Sequence, residues 1–238
     1  MTEFSFVIPA HNEQDNIGRL LEAIVSLGKD EGWKDYEIIV VNDNSSDNTS
    51  LVVEGLQKQH NHIKKIDRSK GSNGMGFSLI EGTKFAQGKV IIWTMGDLSD
   101  NIKTYPKMIE AINNGCDMVF GSRYMKGGSS GNLSKFKAFL SSSFTKTTKL
   151  LYGVEVNDLT NAFRAFRKEI FDEAKLKEGD FAISPEFAIK AKKHGFKLCE
   201  VPTTYTDRQA GQSSFKIIKM GRRYVSVMIK LFFYKPNK

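Results

Sequence analysis

A chain of 238 residues with 40% hydrophobic content carries enough apolar material for a real core and fits one large domain or a domain with an appendage. No long acidic, Pro-rich or Gln-rich tract and no internal repeat is present, which excludes a disordered or solenoid protein. The net charge of +8 comes from 35 Lys and Arg against 27 Asp and Glu; eight of these bases and no acid fall in residues 208–238, so the body is neutral and its last segment carries the excess.

The chain opens with Phe4-Ser-Phe-Val-Ile-Pro-Ala-His-Asn-Glu13, an apolar strand running into polar groups. Met1-Thr-Glu-Phe enters that strand directly, which reads as a chain without a signal peptide. Residues 14–27 follow as a helix with Ile17, Leu20, Leu21, Ile24 and Val25 on one face, and Gly28 and Gly32 fit its stop and the next turn. Glu37 to Val41 is an unbroken Ile/Val strand of the kind covered on both faces, ending in Asn42, Asp43 and Asn44. Asp47 or Asn48 caps a helix to about residue 59, with Leu51, Val52 and Leu56 inward, and a short strand follows at 63–66. Gly71-Ser-Asn-Gly-Met-Gly76 lacks dinucleotide-loop spacing and reads as a turn admitting close approach of the next helix, which carries Leu79, Ile80 and Phe85.

A fourth strand, from Val90, ends in Met95-Gly-Asp-Leu-Ser-Asp100, and a helix spans about 104–113. Residues 116–120 form a strand ending in Gly121-Ser-Arg123, and the Gly/Ser-rich stretch 126–134 reads as a mobile loop. Residues 136–151 form an amphipathic helix, 157–166 lead into another, 185–193 make one more with Pro in its first turn, and 196–201 are a final strand. Cys116 and Cys199 lie in strand-like runs and read as buried thiols of a reducing, cytosolic compartment. His60, His62 and His194 show no metal-ligand spacing.

Helices between the first strands make them parallel, with C-terminal ends on one edge, where open α/β sheets bind ligands. Glu13, Asp43 and Asp97 then meet in one crevice, a costly gathering unless a cation or polar ligand sits there.

Six ordered motifs carry a family resemblance: Val7-Ile-Pro-Ala-His-Asn-Glu13, Val41-Asn-Asp-Asn-Ser-Ser-Asp-Asn-Thr49, Met95-Gly-Asp-Leu-Ser-Asp100, Gly121-Ser-Arg123, Asp158-Leu-Thr-Asn-Ala-Phe-Arg164 and Arg208-Gln-Ala-Gly-Gln-Ser213. Together they resemble the family-two glycosyltransferases of the GT-A fold, and within them the polyprenyl-phosphate sugar transferases. The resemblance implies an α/β fold with a mostly parallel twisted sheet, helices on both faces, and a domain at 1–210 followed by a basic tail at 211–238. It implies that Pro9, Ala10, His11 and Glu13 border the base and ribose, with Asn42 and Asp43 beside them, and that Asp43 accepts from the base edge. Asp97, next to Gly96, would bind a Mg²⁺ or Mn²⁺ ion bridging the diphosphate. The family has Asp-x-Asp there, so Met95 replaces a carboxylate; Asp97 acts either with phosphate and water oxygens or with help from Asp100. Arg123 and Arg208 match arginines that hold the diphosphate or acceptor phosphate, as a rigid guanidinium fork suits. The lysine usual six residues after Arg208 is Ser214, and Lys216 is its candidate substitute. Asp158 falls near the reacting sugar carbon, as base, metal partner or hydroxyl ligand; Arg164 is either a ligand or a structural ion-pair partner.

The tail alternates Ile217, Ile218, Val225, Met228, Ile229, Leu231 and Phe232 with Lys and Arg, too short a run to span a bilayer. It reads as a basic amphipathic helix on an anionic membrane, or as a helix packed on its own domain, without a nucleic-acid motif. The expected activity is inverting hexose transfer from a nucleoside-diphosphate sugar to a polyprenyl phosphate at the cytoplasmic membrane face, with a small membrane subunit as a further partner. The alternatives are a saccharide or protein hydroxyl acceptor, and a non-catalytic nucleotide-binding relative.

Overall fold

The protein is described by a computed structural model covering residues 2–68, 71–206 and 217–236. Strands β1 (Phe4–Ala10), β2 (Tyr36–Asn42), β3 (Ile63–Asp67), β4 (Val90–Trp93), β5 (Met118–Ser122), β6 (Arg164–Arg167) and β7 (Leu198–Pro202) form one sheet in the order β3-β2-β1-β4-β6-β5-β7. Every pairing is parallel except those of β6, which runs antiparallel between β4 and β5. The helices are α1 (Ile17–Asp30), α2 (Thr49–Gln59), α3 (Met75–Phe85), α4 (Tyr105–Asn113), α5 (Lys135–Tyr152), α6 (Lys168–Ala174), α7 (Ile183–Lys193) and α8 (Ile217–Phe232). The mixed α/β architecture with a mostly parallel sheet agrees with the sequence reading.

Alternation along the strands divides the core in two. Phe6, Ile8, Ile38 and Val40 pack with α1, α2 and α4 on one face, while Val7, Ile39 and Val41 pack with α3, α6, α7 and α8 on the other. All seven residues of β1 are buried, as expected of a strand sandwiched by helices. The α8 helix contributes Met220, Tyr224, Val227 and Leu231 to the second cluster, so one face of the basic tail packs on the domain. The expected boundary between 210 and 211 lies outside the described residues.

Several local expectations change. Residues 164–167, expected to lead into a helix, are β6, and α6 begins only at Lys168. Leu51 is exposed rather than inward, and Gly28 is a buried helical residue against Tyr36 and Trp33. The 126–134 stretch is fastened to the segment after β7, with the Ser129 amide donating to the Thr203 carbonyl at 2.9 Å and that of Tyr205 to the Ser129 carbonyl at 2.9 Å.

Cys116 and Cys199 are joined in a disulfide, not held as free thiols. The parallel register of β5 on β7 places Val119 opposite Cys199 and brings the two Cα atoms to 6.1 Å. The thiol argument for a reducing compartment falls with this correction.

The turn after β4 rests on a buried polar chain. Tyr105 and Thr94 hydroxyls meet at 2.9 Å, Thr94 Oγ1 donates to Asp100 Oδ2 at 3.1 Å, and the Met95 amide donates to the same oxygen at 2.9 Å. Burial pushes the Asp100 carboxyl up to about 7; the Met95 amide opposes the rise and the neighbouring Asp97 charge adds to it. A folded-state value raised above the unfolded one makes stability greatest at low pH and progressively lost as pH climbs from about 4 to about 7. Asp100→Asn keeps an acceptor oxygen and should flatten that slope in urea unfolding across pH 4–7; an unchanged slope assigns it elsewhere. Separately, Cys199→Ser should lower unfolding free energy by about 2–4 kcal/mol under oxidising conditions. Equal denaturation midpoints for the two proteins would contradict this.

Candidate active site

The ends of β1 and β2 are level because Ala10 pairs with Asn42, and the Asp43 amide then donates to the Ala10 carbonyl at 2.8 Å. Both strands turn sharply there on Asn12 and Asn44, whose φ angles of 56° and 54° suit Asn better than most side chains. The turns are stitched together: the Ser46 amide donates to Asn12 Oδ1 at 2.8 Å, and the Glu13 amide to Thr49 Oγ1 at 2.8 Å. Beside them opens a cavity of about 700 Å³, and Pro9, Ala10, His11, Glu13, Asp43, Asp97 and Arg123 all line it. Seven residues named from sequence are thus brought together.

Asp43 is buried and held from two sides. Arg68, just past β3, forms an ion pair with Oδ1, and the Gly74 amide donates to Oδ2 at 2.6 Å. His11 Nδ1 donates to the Asp43 carbonyl at 2.7 Å, which fixes the imidazole beside it. Gly74 must be glycine: a Cβ there would lie 2.2 Å from the Gly179 carbonyl oxygen. Close approach is therefore the purpose of this glycine turn, though the partner is the 178–180 segment. Asn42 serves the turn, donating from Nδ2 to Asp67 at 2.8 Å and accepting from the Ser45 amide at 3.3 Å. Gly96 lets the β4 end pass β1, since a Cβ would lie 2.9 Å from the Pro9 carbonyl oxygen.

Asp97 sits on a strained turn. Leu98 has φ of 61°, a conformation that costs a branched side chain of order 1 kcal/mol or more, and the Ser99 amide donates to Asp97 Oδ1 at 3.1 Å. Asp100 spends its Oδ2 on the Met95 amide and the Thr94 hydroxyl. Among the described residues no group of three or more His, Cys, Asp and Glu is placed to hold a metal.

Arg123 and Asp158 form the other half. Asp158 is fully buried and accepts from Arg123 Nε at 2.6 Å, from Nη2 at 2.9 Å and from the Arg123 amide at 3.0 Å. Burial works against the Arg123 charge, but the Asp158 carboxylate outweighs it and holds the guanidinium above its usual value. Tyr124 and Tyr205 place their rings 5.2 and 5.8 Å from it. Asp158 is not part of the cavity wall; it aims Arg123, which is. Arg164, also buried, donates to the carbonyls of Asn161, Ala162 and Ser184 and is structural. Arg208, Ser214 and Lys216 lie outside the described residues.

The cavity continues past Arg123 between α5 and α8. Lys137, Leu140 and Phe144 line it from α5, and Ile217, Tyr224 and Val225 from α8. Sequence reasoning missed Lys137, Asn73 and Arg68. The nearest signal for Arg68 was its place directly after a strand adjoining the Asp43 strand.

Comparisons with known proteins bear on the family and the fold. Residues 5–174 match the model for glycosyl transferase family 2. The chain is 33% identical over 214 residues to a dolichol-phosphate mannosyltransferase of Pyrococcus furiosus, covering 89% of this chain but only 59% of that protein. It is 26% identical over 217 residues to a polyprenol monophosphomannose synthase of Mycolicibacterium smegmatis, covering 87% of this chain and 78% of the relative. Among solved structures, glucosyl-3-phosphoglycerate synthase of Mycobacterium tuberculosis, crystallised with Mn²⁺, uridine diphosphate and phosphoglyceric acid, superposes with a TM-score of 0.76 at 14% identity. That match covers all of this chain and 80% of the other, and it speaks for the fold. A structure of the same enzyme with Mg²⁺ and uridine diphosphate matches equally, at a TM-score of 0.76. With the family model spanning most of the chain, the protein belongs to glycosyltransferase family 2.

Proposed function

We propose that this chain moves a hexose from a nucleoside-diphosphate sugar to a polyprenyl phosphate, using Mg²⁺ or Mn²⁺, while attached peripherally to a membrane. The observation that carries the reading is the two-ended cavity. One end is polar, with His11, Asp43 and Asp97; Arg123 stands in the middle; the other end is walled by Leu140, Phe144, Ile217 and Val225. A phosphate on an apolar chain matches that sequence of surfaces better than a saccharide hydroxyl does. The dolichol-phosphate and polyprenol in the names of the two curated relatives support the same acceptor class.

In this reading Asp43 accepts from the base edge, and Arg68 and Gly74 keep its carboxylate in place. Asp97 would hold the cation, which when bound would supply positive charge for the departing diphosphate. Arg123 grips the acceptor phosphate, whose oxygen is already anionic near neutral pH and attacks the anomeric carbon without a protein base. Asp158 is accordingly a positioning group rather than a proton acceptor. The missing carboxylate at Met95 favours one rival, a nucleotide-binding relative without turnover. Among the described residues no helix is long and apolar enough to cross a membrane.

A panel of nucleotide sugars incubated with Mg²⁺ or Mn²⁺ and a short-chain polyprenyl phosphate tests the function, with labelled sugar followed into the organic phase. Several donors binding with no lipid-linked product would favour the non-catalytic rival. Asp97→Asn should keep nucleotide binding but lower transfer by at least about a hundredfold; near-normal turnover would refute the metal assignment. Asp158→Asn should raise KM for the polyprenyl phosphate by about tenfold or more, with donor KM little changed and no new inflection in the kcat–pH profile. A large kcat loss relieved at high pH would instead make Asp158 a base.

A further inference from the structure

The exposed apolar side chains of this molecule are concentrated on two helices. Of thirteen exposed large hydrophobics among the described residues, five are on α5, four on α8, and Phe233 directly follows α8. On α5, Phe139 is 66% and Leu150 85% exposed; eleven residues apart, they share one helix face. On α8, Ile218 is 77% and Ile229 61% exposed.

The two helices lie side by side and run in the same direction. Phe144 packs on Tyr224 with ring centroids 4.9 Å apart, Thr148 Oγ1 reaches Met228 Sδ at 3.6 Å, and the Tyr152 hydroxyl donates to the Met228 carbonyl. Their N-terminal ends bound an open groove lined by Phe136, Lys137, Ile217, Ile218, Lys219 and Arg222. Lys137 and Ile217 also line the active-site cavity, so the groove is its mouth.

Charge on this surface has one sign. Neither helix contains an acid; α5 carries Lys135, Lys137, Lys146 and Lys149, and α8 carries Lys219, Arg222, Arg223 and Lys230. Arg223 and Lys230 are turned to Glu178 and Asp180 and secure α8 to the domain. The remaining cations border the exposed Phe, Leu and Ile side chains.

We propose that α5 and α8 together form one docking face for an anionic lipid bilayer, with α5 supplying anchors through Phe139 and Leu150. Apolar side chains enter the acyl boundary, neighbouring Lys and Arg meet lipid phosphates, and the cavity mouth faces the surface where a lipid-borne acceptor would lie. The purpose of the face rests on the proposed function, but its binding to lipid does not.

Flotation of the full chain with phosphatidylglycerol–phosphatidylcholine vesicles, without donor or acceptor, tests it. Binding is expected to the anionic vesicles, weaker to pure phosphatidylcholine and weaker in 1 M salt. The F139S/L150S variant, altered only at exposed positions, should lose about tenfold or more in affinity, while L51S on α2 should bind as the parent does. Lys146→Gln with Lys149→Gln should weaken binding to anionic vesicles alone. No binding by the parent, or equal binding by F139S/L150S, overturns the proposal. So does a self-association that F139S/L150S abolishes, which would make a second copy of the chain the occupant. A chain that binds vesicles but transfers no sugar leaves the docking face standing and removes only the functional reading.

Discussion

Burial of the central strands on both faces is the constraint from which the site follows. The middle of β1 and β2 touches helices above and below, so every residue between Phe4 and Ala10, and between Glu37 and Asn42, must satisfy an apolar or fully hydrogen-bonded environment. Carboxylates needed for chemistry are then confined to the turns beyond the last paired residue. Parallel direction puts those turns on one edge, and level registers put them at one height. Antiparallel β6 continues the sheet toward β5, whose C-terminal end delivers Arg123 to that edge.

Much of this was legible because the pattern is local. Unbroken apolar runs ending in His11 and Glu13, in Asp43, and in Asp97 declare both the strand and its tip. Features made by distant parts of the chain were not legible. Arg164-Ala-Phe-Arg167 is too short, with an arginine at each end, to announce a strand, and it becomes one only because β4 and β5 each lack a neighbour on that side. The disulfide needs the β5–β7 register to bring together cysteines 83 residues apart. Asp158 could be named but not assigned, since its grip on Arg123 spans a separation of 35 residues that no periodicity reports.

The Arg123–Asp158 pair shows why an ionised residue can be buried beside a binding site. Removing both charges from water is costly, and a close bidentate contact mainly offsets that cost rather than adding net stability. What it secures is orientation: a guanidinium fixed on one edge by a carboxylate presents its remaining surface in a set direction, with little side-chain entropy left to lose on binding a ligand. The Asp43–Arg68 pair has the reverse arrangement, with the cation behind and the anion at the cavity wall. One site thus holds two oriented ions of opposite sign, each stabilised from behind by its complement.

The placement of α8 bears on how such a protein is handled and how it changes over time. Its inner face belongs to the core and its first turn is a wall of the cavity, so the segment is not an appendix that can be trimmed to yield a better-behaved catalyst. A version ending before residue 217 would have a gap in its core beside Phe144 and a cavity open along one side. Selection on the outer surface of this helix would have to act on outward side chains one at a time, leaving the helix itself in place.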